Sequence, residues 1–301
     1  MKKKILRSPF FYVGDKYKLI AEIGKYFPDD IAKFVEPFVG GGSVFMNVNA
    51  KEFYLNDIDE NIVKLHRFLC ESANDPVFFY TKIEGFIEEY GLSYSYKRDS
   101  IPFELKSQYK KTYIAKYNKN AYEKLRADYN NSSNDELYLL YLLLIYGFNR
   151  MLRFNKNGVF NLPVGNVDFN SNVAAALNSY FNEVKIKEPV WSSLDYKILL
   201  ETLELTEQDF VYLDPPYLIT HSEYNKLWNE TKELELLELL DDLNARNVRF
   251  AISNVTHYKD RINDLFVDWM NRYNVYPIKS NYISYHDNSI KVFNEVLVTN
   301  Y

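Results

Sequence analysis

The stretch Lys33-Phe-Val-Glu-Pro-Phe-Val-Gly-Gly-Gly-Ser43 gives the first indication of how this 301-residue chain folds. Residues 33–38 form a short, mainly apolar run, which predicts a buried strand. The three glycines that follow end this strand, and Ser43 is predicted to cap a helix over residues 44–48. Glycines directly after a buried strand let the backbone approach a ligand closely at the carboxyl edge of a sheet.

The next segments continue the same pattern. Glu52-Phe-Tyr-Leu-Asn56 predicts a second strand, and residues 58–69 have helical spacing. Strands and helices in this alternation are the building block of a parallel sheet. Asp57 follows the second strand, where an acid is placed to accept hydrogen bonds from ribose hydroxyls.

The glycine loop by itself does not identify a ligand. Position 45 is Phe45, so the loop is not the dinucleotide motif G-x-G-x-x-G, which argues against a nucleotide-dependent oxidoreductase. No Gly-Lys-Ser/Thr follows, so it is not a phosphate loop either. The loop is therefore either a plain turn or a binding turn of another kind.

The middle of the chain interrupts the alternation. Residues 77–150 predict mainly helices, and residues 153–170 are rich in asparagine and glycine, which predicts loops. The alternation resumes with strands at 209–213 and 248–252, the second ending at Ser253-Asn254, and with a helix at 231–243. We predict an α/β fold with a Rossmann-like sheet domain from 1–75 and 169–301, interrupted by a mainly helical inserted domain at 76–168.

Composition and charge limit the class of protein. The net charge of −5 argues against a surface that coats nucleic acid throughout. Between Lys106 and Arg126, however, seven basic residues accompany a single acid, which indicates either a solvated helix face or a contact with phosphates. The single cysteine, Cys70, excludes a disulfide within the chain and fits a cytoplasmic location.

The sequence predicts neither a secretion signal nor a membrane helix. The basic N-terminus is not followed by a long apolar run, so we expect no secretion signal. The most apolar stretch, Leu137–Ile145, is shorter than the roughly 20 residues of a membrane helix and is predicted to be a buried core helix. The four histidines show no metal-ligand spacing, so we expect no metal.

The motif Asp214-Pro215-Pro216-Tyr217 directly follows an apolar strand. The exocyclic amine of adenine is a poor nucleophile because its lone pair is delocalised into the ring. Asp214 and the carbonyl of Pro215 can each accept one N–H of such an amine, while the prolines stiffen the turn. Tyr217 offers a ring for stacking on a base that has left the duplex. The plainer alternative is a proline turn in which Asp214 caps a helix.

Taken together, residues 34–45 and 214–217 resemble the Dam-type DNA adenine methylases of the D12 class. The order of cofactor loop, target-recognition insert and Asp-Pro-Pro-Tyr motif is similar to that of their α group. This similarity implies that 1–75 and 169–301 form the catalytic domain and that the insert at 76–168 is the DNA-binding, target-recognition domain. Further segments match the family: Phe11-Tyr-Val-Gly-Asp-Lys16, Leu55-Asn-Asp-Ile58, Tyr146-Gly-Phe-Asn-Arg-Met-Leu-Arg-Phe-Asn155 and Asn161-Leu-Pro-Val-Gly165. Tyr217-Leu-Ile-Thr and Glu223-Tyr-Asn-Lys-Leu-Trp228 resemble the phage Dam branch in particular.

The resemblance implies transfer of a methyl group from S-adenosylmethionine to adenine N6 in double-stranded DNA by base flipping, with GATC as the first expectation for the target. It also implies a possible cognate restriction endonuclease as a partner. The residues that fall on cofactor-binding positions or flank the cofactor loop are Tyr12, Lys16, Glu36, Phe38, Gly40, Asp57 and Asp214. Asp214, Pro215 and Tyr217 fall on the catalytic positions.

The resemblance also assigns a DNA-contacting segment. Arg153 falls on an arginine with which family members recognise guanine, since a guanidinium can donate two hydrogen bonds to guanine O6 and N7. The neighbouring DNA-contact positions are Phe148, Asn149, Met151 and Pro163. Arg150 is an extra charge in this segment and leaves the target sequence open.

Two other functions remain alternatives. An N-methyltransferase that acts on RNA or on a protein amide also uses a proline-proline-aromatic turn, although such enzymes often carry asparagine in place of Asp214. A DNA-binding module with a degenerate pocket is the other alternative, and the intact acids and Lys16 argue against it.

Overall fold

A computed structural model describes residues 4–98, 100–132, 136–220, 228–279 and 292–301. The chain forms two compact units. The helical unit comprises residues 1–15, 40–46 and 59–186, and the sheet unit comprises residues 16–39, 47–58 and 187–301. These bounds differ from those of the predicted domains, so the division into a catalytic and a target-recognition domain stays a prediction.

The sheet unit contains one sheet, to which eight strands of the described residues belong. The strands are β1 (Lys33–Glu36), β2 (Glu52–Asn56), β3 (Val190–Ser192), β4 (Phe210–Leu213), β5 (Arg249–Tyr258), β6 (Arg261–Ile262), β7 (Asn274–Ile278) and β8 (Phe293–Thr299). Their order is β3-β2-β1-β4-β5-β8-β7, and β6 pairs with β5. The predicted α/β fold class is confirmed.

The polarity of the strands brings selected strand ends to one edge of the sheet. Strands β1 to β5 are parallel along the order β3-β2-β1-β4-β5, so their carboxyl ends meet at the same edge. Strand β8 runs antiparallel to β5 and to β7. The first residues of β8 therefore lie at the edge where β5 approaches its carboxyl end.

Three helices of the sheet unit cover an apolar face of this sheet. They are α8 (Tyr196–Thr202), α9 (Glu230–Ala245) and α10 (Asp264–Met270), and the short helix α1 (Ile20–Ile23) belongs to the same unit. Asn229 begins α9 because its side chain accepts a hydrogen bond from the backbone N–H of Lys232 at 3.0 Å. Leu236 and Leu240 of this helix are fully buried in a core that includes Val211 and Phe250 of the strands.

The helical unit is built around a helix that is almost entirely buried. Its helices are α2 (Glu60–Ser72), α3 (Pro76–Tyr90), α4 (Phe103–Gln108), α5 (Tyr113–Asn131), α6 (Leu137–Tyr146) and α7, which runs from Ser171 to Lys187. Residues 139–146 of α6 are all buried, which confirms the predicted core helix. In the described ranges, no helix combines the length and the apolar character that crossing a membrane requires.

Two local predictions are wrong. Residues 44–48 contain only a three-residue 3-10 helix, Phe45–Asn47. The Ser43 oxygen, which would have to accept from this turn to cap it, instead accepts from the backbone N–H of Ser8 at 3.3 Å. Ser253-Asn254 does not end its strand, since β5 continues to Tyr258 through pairing with β8.

A buried histidine ties α2 to the glycine loop of the helical unit. One ring nitrogen of His66 lies 2.9 Å from the carbonyl oxygen of Gly40, and the other lies 2.8 Å from the hydroxyl of Tyr180. Complete burial lowers the pKa of His66 from 6.5 to about 3, against the opposing effect of the hydrogen bond to Gly40. The ring is therefore neutral in the folded protein at physiological pH.

This histidine makes stability sensitive to acid. Below pH 6.5 the unfolded chain protonates the ring, while the folded protein keeps it neutral down to about pH 3. The free energy of unfolding is therefore highest above pH 6.5. It falls by about 2 kcal/mol between pH 7 and pH 5, because the unfolded chain gains a proton that the folded protein does not. We expect denaturant unfolding of His66→Gln to lack this part of the pH dependence. Equal pH dependence in both proteins would contradict a buried neutral ring.

Gly147 occupies a place where a side chain does not fit. A Cβ there would lie 2.5 Å from the backbone oxygen of Leu143 and 2.6 Å from a methyl carbon of Leu162. Because the nearest atom belongs to the backbone of α6, the neighbours cannot simply rotate away. Gly147 thus lets the chain leave α6 in contact with the segment around Leu162.

We expect Gly147→Ala to lower the free energy of unfolding by about 1–3 kcal/mol, because the added carbon overpacks this contact. Gly85→Ala is the matched control, since Gly85 lies within α3 and an added Cβ meets nothing within 4 Å. That control should gain about 0.5–1 kcal/mol from helix propensity. Chemical denaturation measures the free energy of unfolding of both variants. An unchanged value for Gly147→Ala would show that the backbone at the end of α6 can shift to make room for the added carbon.

Candidate active site

Asp214 lies at the carboxyl edge of the sheet, directly after β4. All four residues of this strand are buried, and they pair in parallel with β5. Asp214 keeps 19% of its side chain exposed, whereas Pro215 is buried. The apolar strand therefore delivers one carboxylate to a position where ligands of open α/β sheets bind.

Lys16 makes the strongest contacts with this carboxylate. Its Nζ lies 2.7 Å from Asp214 Oδ2 and 2.7 Å from the hydroxyl oxygen of Tyr217. Only 4% of the lysine is exposed, so the ammonium is stabilised by these partners rather than by water. The structure thus brings together three residues that the sequence assigned to one site.

The Tyr217 hydroxyl has a role that the sequence did not predict. It lies 2.8 Å from Asp214 Oδ1, to which it donates a hydrogen bond, and Glu295 Oε1 is a second acceptor at 3.2 Å. Burial raises its pKa well above the ordinary value, and the charges of Asp214 and Glu295 act in the same direction. The neutral hydroxyl therefore fixes the carboxylate, while stacking of the ring on a base stays a prediction.

Glu295 is the member of this cluster that sequence reasoning missed. It lies near the start of β8 and is 2% exposed, with Oε1 at 3.6 Å from Lys16 Nζ. Burial raises its pKa, although the charge of Lys16 acts in the opposite direction. A lone acid next to the apolar run Val296-Leu-Val298 was the available signal, because strands rarely bury a carboxylate without a reason.

Other predicted residues follow the neighbouring strands of the sheet unit. Glu36 is the last residue of β1 and is buried, and Asp57 directly follows β2 and is half-buried. The backbone of Asp57 is held at the end of β3. Its N–H donates to the carbonyl of Ser192 at 3.4 Å, and its carbonyl accepts from the Ser193 hydroxyl at 2.9 Å. Two carboxylates thus lie at the ends of adjacent parallel strands, as the strand pattern predicts.

Phe38 belongs to an aromatic group beyond the end of β1. Its ring centroid lies 5.3 Å from that of Tyr196 and 5.8 Å from that of Trp228, edge to face with the indole. The indole N–H of Trp228 donates to Glu233 Oε2 at 2.6 Å. These contacts fix the Phe38 ring in a partly buried position.

The glycine loop and Tyr12 lie together in the helical unit. A Cβ on Gly41 would lie 2.9 Å from the Tyr12 Cβ, and the Ser8 hydroxyl donates to the Gly41 carbonyl. Gly42 has a φ of +80°, and a Cβ there would lie 2.5 Å from the Phe45 ring. The loop is therefore packed so closely that only glycine fits at these two positions.

The predicted DNA-contacting segment forms a hairpin in the helical unit, with an antiparallel bridge between Phe154 and Phe160. Arg153 is exposed, and its Nε and Nη2 donate to the side-chain and backbone oxygens of Asn161, each at 2.8 Å. A guanidinium has five N–H donors, so the remaining ones stay available while the group is held in place.

The other members of the hairpin differ in exposure. Phe148 is 45% exposed, Asn149 and Pro163 are exposed, and Met151 is half-buried. Arg150 is instead mostly packed inside: its guanidinium carbon lies 4.2 Å from the Phe11 ring centroid, and burial lowers its pKa to about 10. The extra charge noticed in the sequence is therefore a packed cation rather than an exposed one.

The chain is similar to proteins of known name over nearly its full length. It is 35% identical to modification methylase StsI of Streptococcus sanguinis over 99% of this chain, and 33% identical to type II methyltransferase M.FokI of Planomicrobium okeanokoites over 98%. It spans 43% of the length of each of these two proteins. A DNA adenine methylase of Haemophilus influenzae is 29% identical over 75% of this chain and 69% of that protein.

The family model that matches is the D12 class N6 adenine-specific DNA methyltransferase. The match covers residues 12–283, which include Lys16, the glycine loop, the hairpin and the Asp-Pro-Pro-Tyr motif at 214–217. Two relatives above 30% identity over almost the whole chain agree with it. The chain therefore belongs to the family of D12 class N6 adenine-specific DNA methyltransferases.

Proposed function

We propose that this protein is a site-specific DNA methyltransferase that methylates the N6 amine of adenine in duplex DNA. The observation that carries the proposal is the Asp214 carboxylate, fixed by Lys16 and Tyr217 at the carboxyl edge of the sheet and followed by a buried proline. Membership of the family supports the reaction, and the geometry supports the residue that performs it.

In this proposal the chain activates the amine through two acceptors. Asp214 accepts one N–H and the carbonyl of Pro215 accepts the other, which draws the nitrogen toward a tetrahedral shape and frees its lone pair. Each carboxylate oxygen has two lone pairs, so Asp214 can accept from the amine while Lys16 and Tyr217 keep their contacts. The acceptors are in place before the base arrives, because the cluster holds one and the proline turn holds the other.

S-adenosylmethionine would supply the methyl group. The residues present fit this molecule, since the carboxylates of Glu36, Asp57 and Asp214 can accept hydrogen bonds from its hydroxyl and ammonium groups. We assign its binding to these acids, to Lys16 and Phe38, to Tyr12, and to Gly40 of the glycine loop. Because the adenine must leave the base stack to react, we further propose base flipping, with Tyr217 as the stacking surface.

The target and the biological role are finer proposals. The names of the two relatives favour a modification methylase that works beside a restriction endonuclease of the same specificity. The sequence motifs instead favour the phage Dam branch and GATC, although residues 223–227 of one of these motifs lie outside the described residues. We retain GATC as the first target to test, with duplex DNA as the substrate in either role.

The first test is expression in a methylation-free bacterial host, followed by sequencing that maps N6-methyladenine. We expect the wild-type protein to methylate adenine in one sequence context. Asp214→Ala should lower transfer at least about 100-fold, because it removes an acceptor aimed at the reacting amine. Asp268→Ala, which removes an exposed acid of α10, is the matched control and should keep full transfer.

Thermal unfolding of each purified variant separates loss of activity from loss of folding. A folded Asp214→Ala that still transfers methyl groups at near the wild-type rate would remove the proposed role of that carboxylate. An absence of modified adenine with the wild-type protein, but methylation of RNA or of a protein amide, would favour the alternative function.

The second test concerns the choice of target. We expect Arg153→Ala to relax discrimination at one base pair by about 1–3 kcal/mol, since the guanidinium held by Asn161 is proposed to contact guanine. Lys156→Ala, in the same hairpin, should weaken DNA binding without changing the preferred sequence. Methylome sequencing of both variants measures the preferred sequence. Unchanged discrimination at every position of the target in Arg153→Ala would exclude Arg153 as a base reader.

A further inference from the structure

The carboxyl group of Glu295 is placed in an environment that does not favour an acid. Its direct cross-strand neighbours are Val255 of β5 and Ile278 of β7, and both are apolar and buried. The acid is 2% exposed, and its Oε2 has no hydrogen-bond partner within the part of the chain that the structure describes. The neighbouring strands therefore supply no partner for the Glu295 carboxyl group. A charge at this position lowers the stability of the fold unless an opposite charge or a hydrogen-bond donor compensates it.

The groups that face Glu295 come from two other segments. Lys16 Nζ lies 3.6 Å from Oε1, and the Tyr217 hydroxyl lies 3.2 Å from the same oxygen. Asp214, in the same loop as Tyr217, acts on Glu295 through its charge. Tyr212 of β4 interacts electrostatically with Tyr217 and Asp214, and its own hydroxyl lies 2.8 Å from the hydroxyl of Ser253 in β5.

The number of charges explains what Glu295 contributes. Among the residues that the structure describes, the Lys16 ammonium faces two carboxylates, at 2.7 Å and 3.6 Å. If Asp214 were the sole acid, the ion pair would carry no net charge and its oxygens would be weaker acceptors. With Glu295 ionised, the cluster of Lys16, Asp214 and Glu295 keeps one net negative charge beside the position proposed for the amine.

We propose that Glu295 is a positioning residue whose charge shares the Lys16 ammonium and the Tyr217 hydroxyl, so that Asp214 remains a net anionic acceptor for the substrate amine. This inference rests on the proposed function. Glu295 contacts neither the base nor the cofactor in it, and acts on the reaction through Lys16 and Tyr217.

A role that depends on charge and a merely structural role predict opposite orders of activity for two variants. Glu295→Gln keeps the volume and the acceptor oxygen but loses the charge, whereas Glu295→Asp keeps the charge but leaves a gap. If charge matters, kcat falls about 10- to 100-fold in Glu295→Gln and less in Glu295→Asp. If Glu295 only fills space and accepts a hydrogen bond, Glu295→Gln is the more active variant, and the inference is overturned.

The pH profile gives an independent measurement. Protonation of Glu295 in the wild-type protein should lower kcat on the acidic side, at a pH above that of an ordinary glutamate because burial raises its pKa. In Glu295→Gln this acidic limb should move to lower pH. Equilibrium binding of radiolabelled S-adenosylmethionine, which Lys16 is also proposed to hold, should change less than kcat does, and this comparison separates kcat from cofactor affinity.

Glu233 supplies the control for a buried glutamate. It is 0% exposed, but its oxygens accept from Trp228, Asn254 and Asn263, and none of these three groups carries a charge or belongs to the Lys16 cluster. Glu233→Gln should lower the unfolding midpoint and leave the acidic limb where it is. If both glutamine variants move the limb equally, the Glu295 inference fails. If the wild-type protein binds cofactor yet methylates no adenine in DNA, the proposed function fails, and the inference falls with it.

Discussion

The buried ammonium of Lys16 is the constraint around which the polar side chains of the candidate site are arranged. A cation that is 4% exposed must be compensated by acceptors, and here these are Asp214, Tyr217 and Glu295. The three acceptors come from the loop after β4 and from β8, so the ion pair joins segments about 200 residues apart in sequence. Removing one partner of such a pair costs about 3–5 kcal/mol, because it leaves a buried charge without compensation. The acceptors thus hold the Lys16 ammonium in place, and the ammonium in turn holds the Asp214 carboxylate.

Strand polarity explains why these groups meet at one place. Parallel strands β1, β2 and β4 end at a common edge and deliver Glu36, Asp57 and Asp214 there. Strand β8 runs the other way, so a residue near its beginning, Glu295, reaches the same edge where β5 passes it. The antiparallel strand thus adds a fourth acid to this edge from the opposite chain direction.

The sequence predicted the scaffold better than the contacts within it. Strands β1, β2 and β4 and helix α6 were recognisable because burial imposes an apolar pattern that is local in sequence. The helix expected after Ser43 and the strand end expected at Ser253 were wrong. Ser43 accepts from Ser8 and β5 pairs with β8, and both partners are distant in sequence. Glu295 was missed for the same reason: the partners of a buried acid are set by tertiary structure, and no local pattern names them.

The hairpin shows the same principle of fixing polar groups before a ligand arrives. Asn161 accepts two hydrogen bonds from the Arg153 guanidinium, so an exposed side chain with many rotamers is held in one orientation. The entropy of ordering is then spent during folding instead of during binding, which strengthens recognition of a partner that matches the remaining donors. An arginine without such a support would still attract phosphates, but it would discriminate less between bases, because discrimination depends on the direction of its donors.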